Sequence, residues 1–251
     1  SYRVQDTTNF EVVMLADENG NPLNSYGAAA NIPIAAGLLT GYSHINKFGY
    51  RDTISGSWQT IWDKAADYAY YAAATVTAVA DDTGDDDGGT VEVQGLDENY
   101  LPVTETLTIG GAASVAQFSR VFRALMITAN TGTTNQDEIR IKNGINDVAV
   151  IRAEAGQTLM SLYTIPAGKT GYLLKVQGSV DANNDALFRL YARPFNGAFN
   201  VKGQFGVFAA GFNYDYPVPL RFEEKTDLEV KGFSQNGVGG GAIFDIILVD
   251  N

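Results

Sequence analysis

An all-β fold is what this sequence predicts: a β-sandwich or jelly-roll body, as one large or two small sandwiches, behind an extended N-terminal arm. Three observations carry it. Short stretches alternate apolar or β-branched residues with polar ones at a period of two. Clusters of Gly, Asn, Asp and Pro separate those stretches. No long stretch keeps the spacing of an amphipathic helix.

Residues 1–48 read as the arm. Phe10–Leu15 is a candidate strand, and Asp17–Pro22 is a turn cluster with Asn-Gly and Asn-Pro. Alanine-rich and glycine-spaced residues follow. Pro22 and Pro33 interrupt any helix there. A stretch of this kind orders by lying on another surface, either the rest of the chain or a neighbouring subunit.

Residues 49–151 read as a first β-sandwich region. Ala74–Ala80 alternates β-branched and small residues, and Asp81–Gly89 is an acidic turn. Thr90–Gly95 restarts a strand. Val103–Ile109 places threonine at 104, 106 and 108, every second position, as a strand requires. Phe118–Thr128 mixes periods; its β-branched residues favour strand. Ile139–Lys142 alternates and runs into Asn143-Gly144, a hairpin turn signal. Val148–Ile151 is the return strand.

Residues 152–251 read as a second, jelly-roll-like β-sandwich region. Leu159–Ile165 and Tyr172–Val176 are strands around the turn Pro166–Gly171. Leu187–Arg193 puts Phe188, Leu190 and Ala192 on one face and Arg189, Tyr191 and Arg193 on the other. Leu228–Lys231 alternates. Ile243–Val249 is almost continuously apolar and is expected to be covered on both faces. The 27 glycines suit turns and bulges, with neither a collagen period nor a tandem repeat.

Composition excludes several functions. The chain of 251 residues carries 17 Lys plus Arg against 29 Asp plus Glu, a formal charge of -12. Such a surface repels phosphate backbones and anionic lipid, so neither nucleic acid nor membrane is expected as a partner. With 0 Cys, disulfides, thiolate catalysis and thiolate metal sites are absent. A single histidine, His44, rules out multi-histidine metal sites. No run reaches the length needed to span a bilayer, and the first residues lack a signal-peptide core. The expectation is a soluble, non-secreted product made in the cytoplasm.

Candidate chemistry is sparse. Residues 81–98 hold eight carboxylates (Asp81, Asp82, Asp85, Asp86, Asp87, Glu92, Asp97 and Glu98) and no Lys or Arg. Calcium favours such oxygen clusters, but the spacing is not that of an EF-hand. A solvated turn is the preferred reading. His44 has no nucleophile elbow to serve, so a structural role is preferred. Asp227 and Glu229 share a strand face, and Asp215, Glu223 and Glu224 lie near in sequence. Paired carboxylates of this kind serve glycoside hydrolysis only beside an aromatic-lined cleft. Gly237–Gly241 opens a strand rather than a helix, so a flexible hairpin loop is expected instead of a phosphate loop. Trp58, Trp62, Tyr68, Tyr70 and Tyr71 read as a core or interface cluster in preference to a carbohydrate platform. The expectation is no enzyme: no catalytic, cofactor-binding or metal-binding residue, and no cofactor.

Several segments, in order, resemble a family of structural proteins of tailed bacteriophages, including marine phages. They are Ile45–Tyr50, Ile61–Asp63, Thr90–Tyr100, Glu105–Gly111, Phe122–Ala124, Gly156–Thr158, Tyr163–Tyr172 and Glu224–Val230. The resemblance implies a virion component and brings no catalytic residue with it. A major capsid protein of the common type is disfavoured, because its long spine helix has no counterpart here. The favoured expectation is a capsid-decorating or head-fibre protein, a homotrimer that docks on the major capsid protein through its arm and projects an acidic body. Alternatives are a neck, tail or short-fibre component, and a glycan-binding or depolymerising module.

Overall fold

The computed structural model describes residues 2–5, 11–14, 31–81, 86–181, 183–208 and 211–251. The chain divides into two compact units, Ser1–His44 and Ile45–Asn251. In the first, β1 (Tyr2–Gln5) and β2 (Glu11–Met14) form an antiparallel pair. β2 is the strand expected at Phe10–Leu15; the turn cluster 17–22 and the alanines 28–30 lie outside the described residues. A five-residue helix, α1 (Asn31–Ala35), forms despite Pro33. Proline is tolerated there because first-turn N–H groups have no intrahelical acceptor.

The rest is β-structure: β3 (Tyr42–Ile54), β4 (Gln59–Thr60), β5 (Thr77–Ala80), β6 (Thr90–Leu96), β7 (Pro102–Thr108) and β8 (Arg120–Thr128). Then come β9 (Ile139–Asn143), β10 (Asn146–Ile151), β11 (Leu162–Thr164), β12 (Lys169–Val180), β13 (Asp185–Arg193) and β14 (Asn200–Phe208). β15 (Gly211–Phe222), β16 (Asp227–Phe233) and β17 (Val238–Asp250) complete the chain. The all-β class is therefore as expected. The ambiguous stretch 118–128 is the strand β8, and Asn143-Gly144 turns a hairpin with Asn146 opposite Asn143.

Two hydrophobic cores form. Sheets β10-β9-β5 and β7-β6-β8 enclose one, filled by Val91, Val93, Phe118, Ile139, Ile141 and Ile151. Sheets β11-β16-β13-β14 (with β4 on β16) and β15-β12-β17-β3 enclose the other, filled by Leu173, Phe188, Leu190, Val230, Phe244 and Ile246. Strands such as β13 and β7 bury alternate residues: Phe188, Leu190 and Ala192 point inward from β13, while threonines 104, 106 and 108 face out from β7. β17 is not covered equally on its two faces. Ala242, Phe244, Ile246 and Leu248 are buried, and the residues between them are half-buried.

The strands do not follow the linear division expected at 151. β3 begins at Tyr42, inside the stretch expected to be an arm, and together with β4 it joins the C-terminal sheets. The β5–β10 sandwich is thus inserted between β4 and β11. Its entry and exit chains run side by side: Trp62 bridges Met160, Ser161 N donates to Ile61 O at 2.9 Å, and Ile61 N donates to Val230 O at 3.0 Å. Gly49 of β3 lies against this crossing. A Cβ there would stand 2.4 Å from both Ile61 O and Ser161 N.

Gly239–Gly241 are not a flexible loop but part of β17, and they are buried. The reason is steric. A Cβ on Gly239 would lie 2.3 Å from Asp181 Oδ2 and from Tyr50 Oη, and one on Gly240 2.9 Å from Ile54 Cδ1. β14 and β15 carry no clear period in sequence or in burial. β15 is an edge strand, and between Asp215 (opposite Lys175) and Leu220 (opposite Leu173) it bulges through Pro217 and Pro219. Such prolines withhold N–H donors from an open sheet edge.

Gly49→Ala is expected to destabilise the chain by about 3 kcal/mol, because backbone on both sides of the new methyl cannot yield. A lowered urea midpoint with an unchanged slope is the measurement that checks it.

Candidate functional site

The seam between the two sandwiches holds most of the buried charge. Val121 and Ala124 of β8 enter the β5–β10 core, so Arg120 and Phe122 face the other sandwich. Arg120 Nε donates to Asp227 Oδ1 at 2.8 Å, and Arg193 of β13 donates from Nε and Nη2 to Asp227 Oδ2 at 2.9 and 2.5 Å. Thr164 Oγ1 adds a bond of 2.6 Å to Oδ1. Tyr70 stacks against both guanidinium groups, 5.0 Å from Arg120 and 4.2 Å from Arg193. Burial opposes the charge on Arg120, but its bonds to Asp227 hold its pKa above the usual arginine value.

Beside this cluster Glu229 is 1% exposed. It accepts a bond from Thr60 Oγ1 at 2.5 Å and one from Tyr70 Oη at 3.4 Å. Burial raises its pKa against the opposing pull of Lys231. Lys47 is also buried here; its ammonium donates to Phe122 O, and desolvation, then the Arg123 charge, lowers its pKa well below that of a free lysine. Phe122 packs on Tyr163 at 4.8 Å.

The expected candidates therefore separate. Asp227 and Glu229 do share a strand, yet each is enclosed by its own partners. Asp215 is exposed on β15, Glu223 pairs with Arg221, and Glu224 accepts the Gly168 N–H at 2.5 Å. Trp62, Tyr68 and Tyr70 form an edge-to-face chain with centroids 5.3 and 5.1 Å apart. Trp62 and Tyr68 are core residues, whereas Trp58 leaves the cluster for Phe233 and Arg189. His44 is exposed on β3.

In the acidic stretch, 82–85 lie outside the described residues. Asp86 is fully buried, accepting the N–H groups of Gln136 at 3.0 Å and Asp137 at 2.8 Å. Asp81 pairs with Arg140, Glu92 accepts from Gln94, and Asp97 caps the N–H groups of Asn99 and Leu101. Among the described residues, no group of three or more acidic or histidine side chains is arranged to hold a metal ion, and no helix is long and apolar enough to cross a membrane.

A second polar site, which the sequence did not single out, is a cavity of about 440 Å³ beside the crossing chains. Arg51 and Asp52 of β3, Asp63 and Lys64 of the entry chain, and Glu138, Arg140, Asp147 and Arg152 of the inserted sandwich line it. Arg152 bridges Asp52 at 2.9 Å and Asp63 at 2.6 Å. Burial outweighs that arginine and pushes the Asp63 pKa up to about 6. Adjacent opposite charges, Arg51-Asp52 and Asp63-Lys64, are the only trace of this site in the sequence.

Replacing Asp227 with Asn is expected to cost about 4 kcal/mol, since two arginines lose their buried counter-charge; a urea titration checks it. Asp63 gives a pH dependence of definite sign. Its folded pKa, about 6, exceeds the ordinary 3.8, so the folded state binds the proton more tightly. Stability from this residue is highest below pH ~4 and falls by about 3 kcal/mol as pH rises through ~6. Asp63→Asn should lack that fall, seen as a stability difference from the parent chain that changes between pH ~3.5 and ~6.5.

No protein-family model matches the chain, and no curated protein does. Among solved structures, one of infectious bursal disease virus, Gt strain, aligns over 83% of this chain and 71% of that one, at 9% identity and a TM-score of 0.21. One of the Gx strain aligns over 83% and 74%, at 10% identity and a TM-score of 0.18. Scores this low carry no argument about function.

Proposed function

We propose that this chain is a non-enzymatic structural component of a phage virion, made in the host cytoplasm and incorporated as a homotrimeric capsid-decorating or head-fibre protein. The observation that carries this reading is where the acidic side chains are spent. Asp227 and Glu229, the pair best placed in sequence for glycan cleavage, are 3% and 1% exposed; Asp227 ties the two sandwiches through Arg120, and Glu229 holds Thr60 and Tyr70 within the fold. A hydrolase would need them open to a sugar ring. The ordered resemblance of segments from 45 to 230 to phage structural proteins supports the same reading.

Self-association is supported by β15. Tyr214 and Val218 are exposed on this edge strand, and Phe212 stacks on Phe205 at 4.3 Å beside them. These apolar and aromatic side chains suit side-chain packing between copies of the chain, while Pro217 and Pro219 keep the edge itself from pairing strand to strand. The segment before β3 is the proposed anchor to the major capsid protein, and the acidic body projects from the shell.

A chain lacking residues 1–41, which leaves β3 whole, should remain folded and trimeric by sedimentation velocity but no longer co-sediment with capsids. Retained binding would remove the anchor from the proposal. A monomeric full-length chain that never co-sediments, or one that hydrolyses a polysaccharide, would refute the structural reading. Labelled protein confined to one vertex of the particle would move it to the neck or tail.

A further inference from the structure

We propose that Lys64 and Asp147 join through a side-chain amide, an isopeptide bond between Lys64 Nζ and Asp147 Cγ, which the chain forms on itself once folded. The two groups are in direct contact, Nζ against Oδ2. Asp147 Oδ1 accepts no hydrogen bond and faces the Lys142 ammonium at 3.6 Å. The Asp147 side chain is 5% exposed, so the carboxylate has little water to stabilise its charge.

Both partners are held from behind. Arg51, 3% exposed, donates to the carbonyls of Thr60 at 3.2 Å, Lys64 at 2.8 Å and Ala66 at 3.2 Å, and also to that of Ala65. Trp62 Nε1 donates to Ala66 O at 2.7 Å. The backbone that carries Lys64 is therefore pinned from two sides. Asp147 sits on β10 opposite Lys142 of β9, at the register shift before Ala149. A nucleophile and an electrophile immobilised in contact react with a high effective concentration.

Desolvation favours the reaction. The Asp147 carboxylate is buried and the Lys64 ammonium, one third exposed, is partly so; charge kept out of water is costly, and a neutral amide avoids that cost. Burial, then the Arg140 charge, lowers the Lys64 pKa, which eases loss of its proton. In the step, the ammonium proton passes to Asp147, giving a neutral amine and a carboxylic acid. The amine nitrogen attacks Cγ and the C–N bond forms. Glu138, which lines the same cavity and accepts from Arg140 Nε at 2.6 Å, takes the second nitrogen proton and returns it to the departing hydroxyl, so that one water leaves as the C–O bond breaks. No oxidant or cofactor is consumed.

The bond would tie the entry chain to the β9–β10 hairpin and close a loop containing β5 to β9. In a chain with no cysteine, it restricts the unfolded ensemble as a disulfide does elsewhere.

The test is the intact mass of the full-length chain, measured after denaturation. The expected mass is one water lighter than the sequence gives, and digestion should release a branched peptide joining residues 64 and 147. Lys64→Arg and Asp147→Ala should each return the full mass, and Glu138→Gln should leave part of the chain unjoined. A parent chain at full sequence mass overturns the proposal whether or not the variants fold. So does a water loss that persists in both variants or maps to other residues. Complete joining in Glu138→Gln would overturn the proton route through that residue.

Discussion

Asp227 is the tie on which the arrangement of the two sandwiches rests. Its carboxylate receives Arg120 from the inserted sandwich and Arg193 from the C-terminal one, with Thr164 completing the shell. The buried Asp227 faces the buried Arg120 and the half-buried Arg193, and removing Asp227 would leave the Arg120 charge with an uncompensated desolvation cost. Geometry is therefore specified more tightly than a purely apolar seam would specify it. Tyr70 extends the constraint by stacking on both guanidiniums and bonding to Glu229, so the segment after the entry chain is fixed by the same cluster.

The chain crossing is the second constraint. Where entry and exit chains pass β3, Gly49 brings backbone to backbone, and Arg51 gathers the carbonyls of the loop that follows β4. An arginine that satisfies carbonyls rather than a carboxylate is a device for holding a loop whose backbone acceptors would otherwise be left unpaired. Together with Asp227 it holds the insertion to the C-terminal sandwich, beside the proposed cross-link.

The acidic character of the chain has a divided use. Asp86, Asp227 and Glu229 are structural and buried, while Asp215, Glu98 and Asp81 remain on the surface. The net charge of -12 is thus not a measure of one acidic face. Surface carboxylates give the folded chain its negative field, and the buried Asp227 sets the relation between the two sandwiches.

Most strands were legible because each half-buried strand repeats at two residues: Val91 and Val93, Ile139 and Ile141, Phe188 and Leu190 could be assigned inward from the chain alone. Asn143-Gly144 fixed a hairpin for a local reason as well. β14 and β15 are not legible in the sequence because edge strands bury little and carry no strong period, and the extended form of Gly239–Gly241 is not legible because contact with Tyr50, Asp181 and Ile54 decides it. The sites were illegible for the same reason. Lys64 meets Asp147, and Arg120 meets Asp227, only after the insertion folds back on β3 and β16. Local periodicity and turn chemistry act between residues a few positions apart, so the sequence by itself determined an all-β chain poor in reactive groups. Which charges became buried partners depended on contacts between distant strands, and only the tertiary structure decided those.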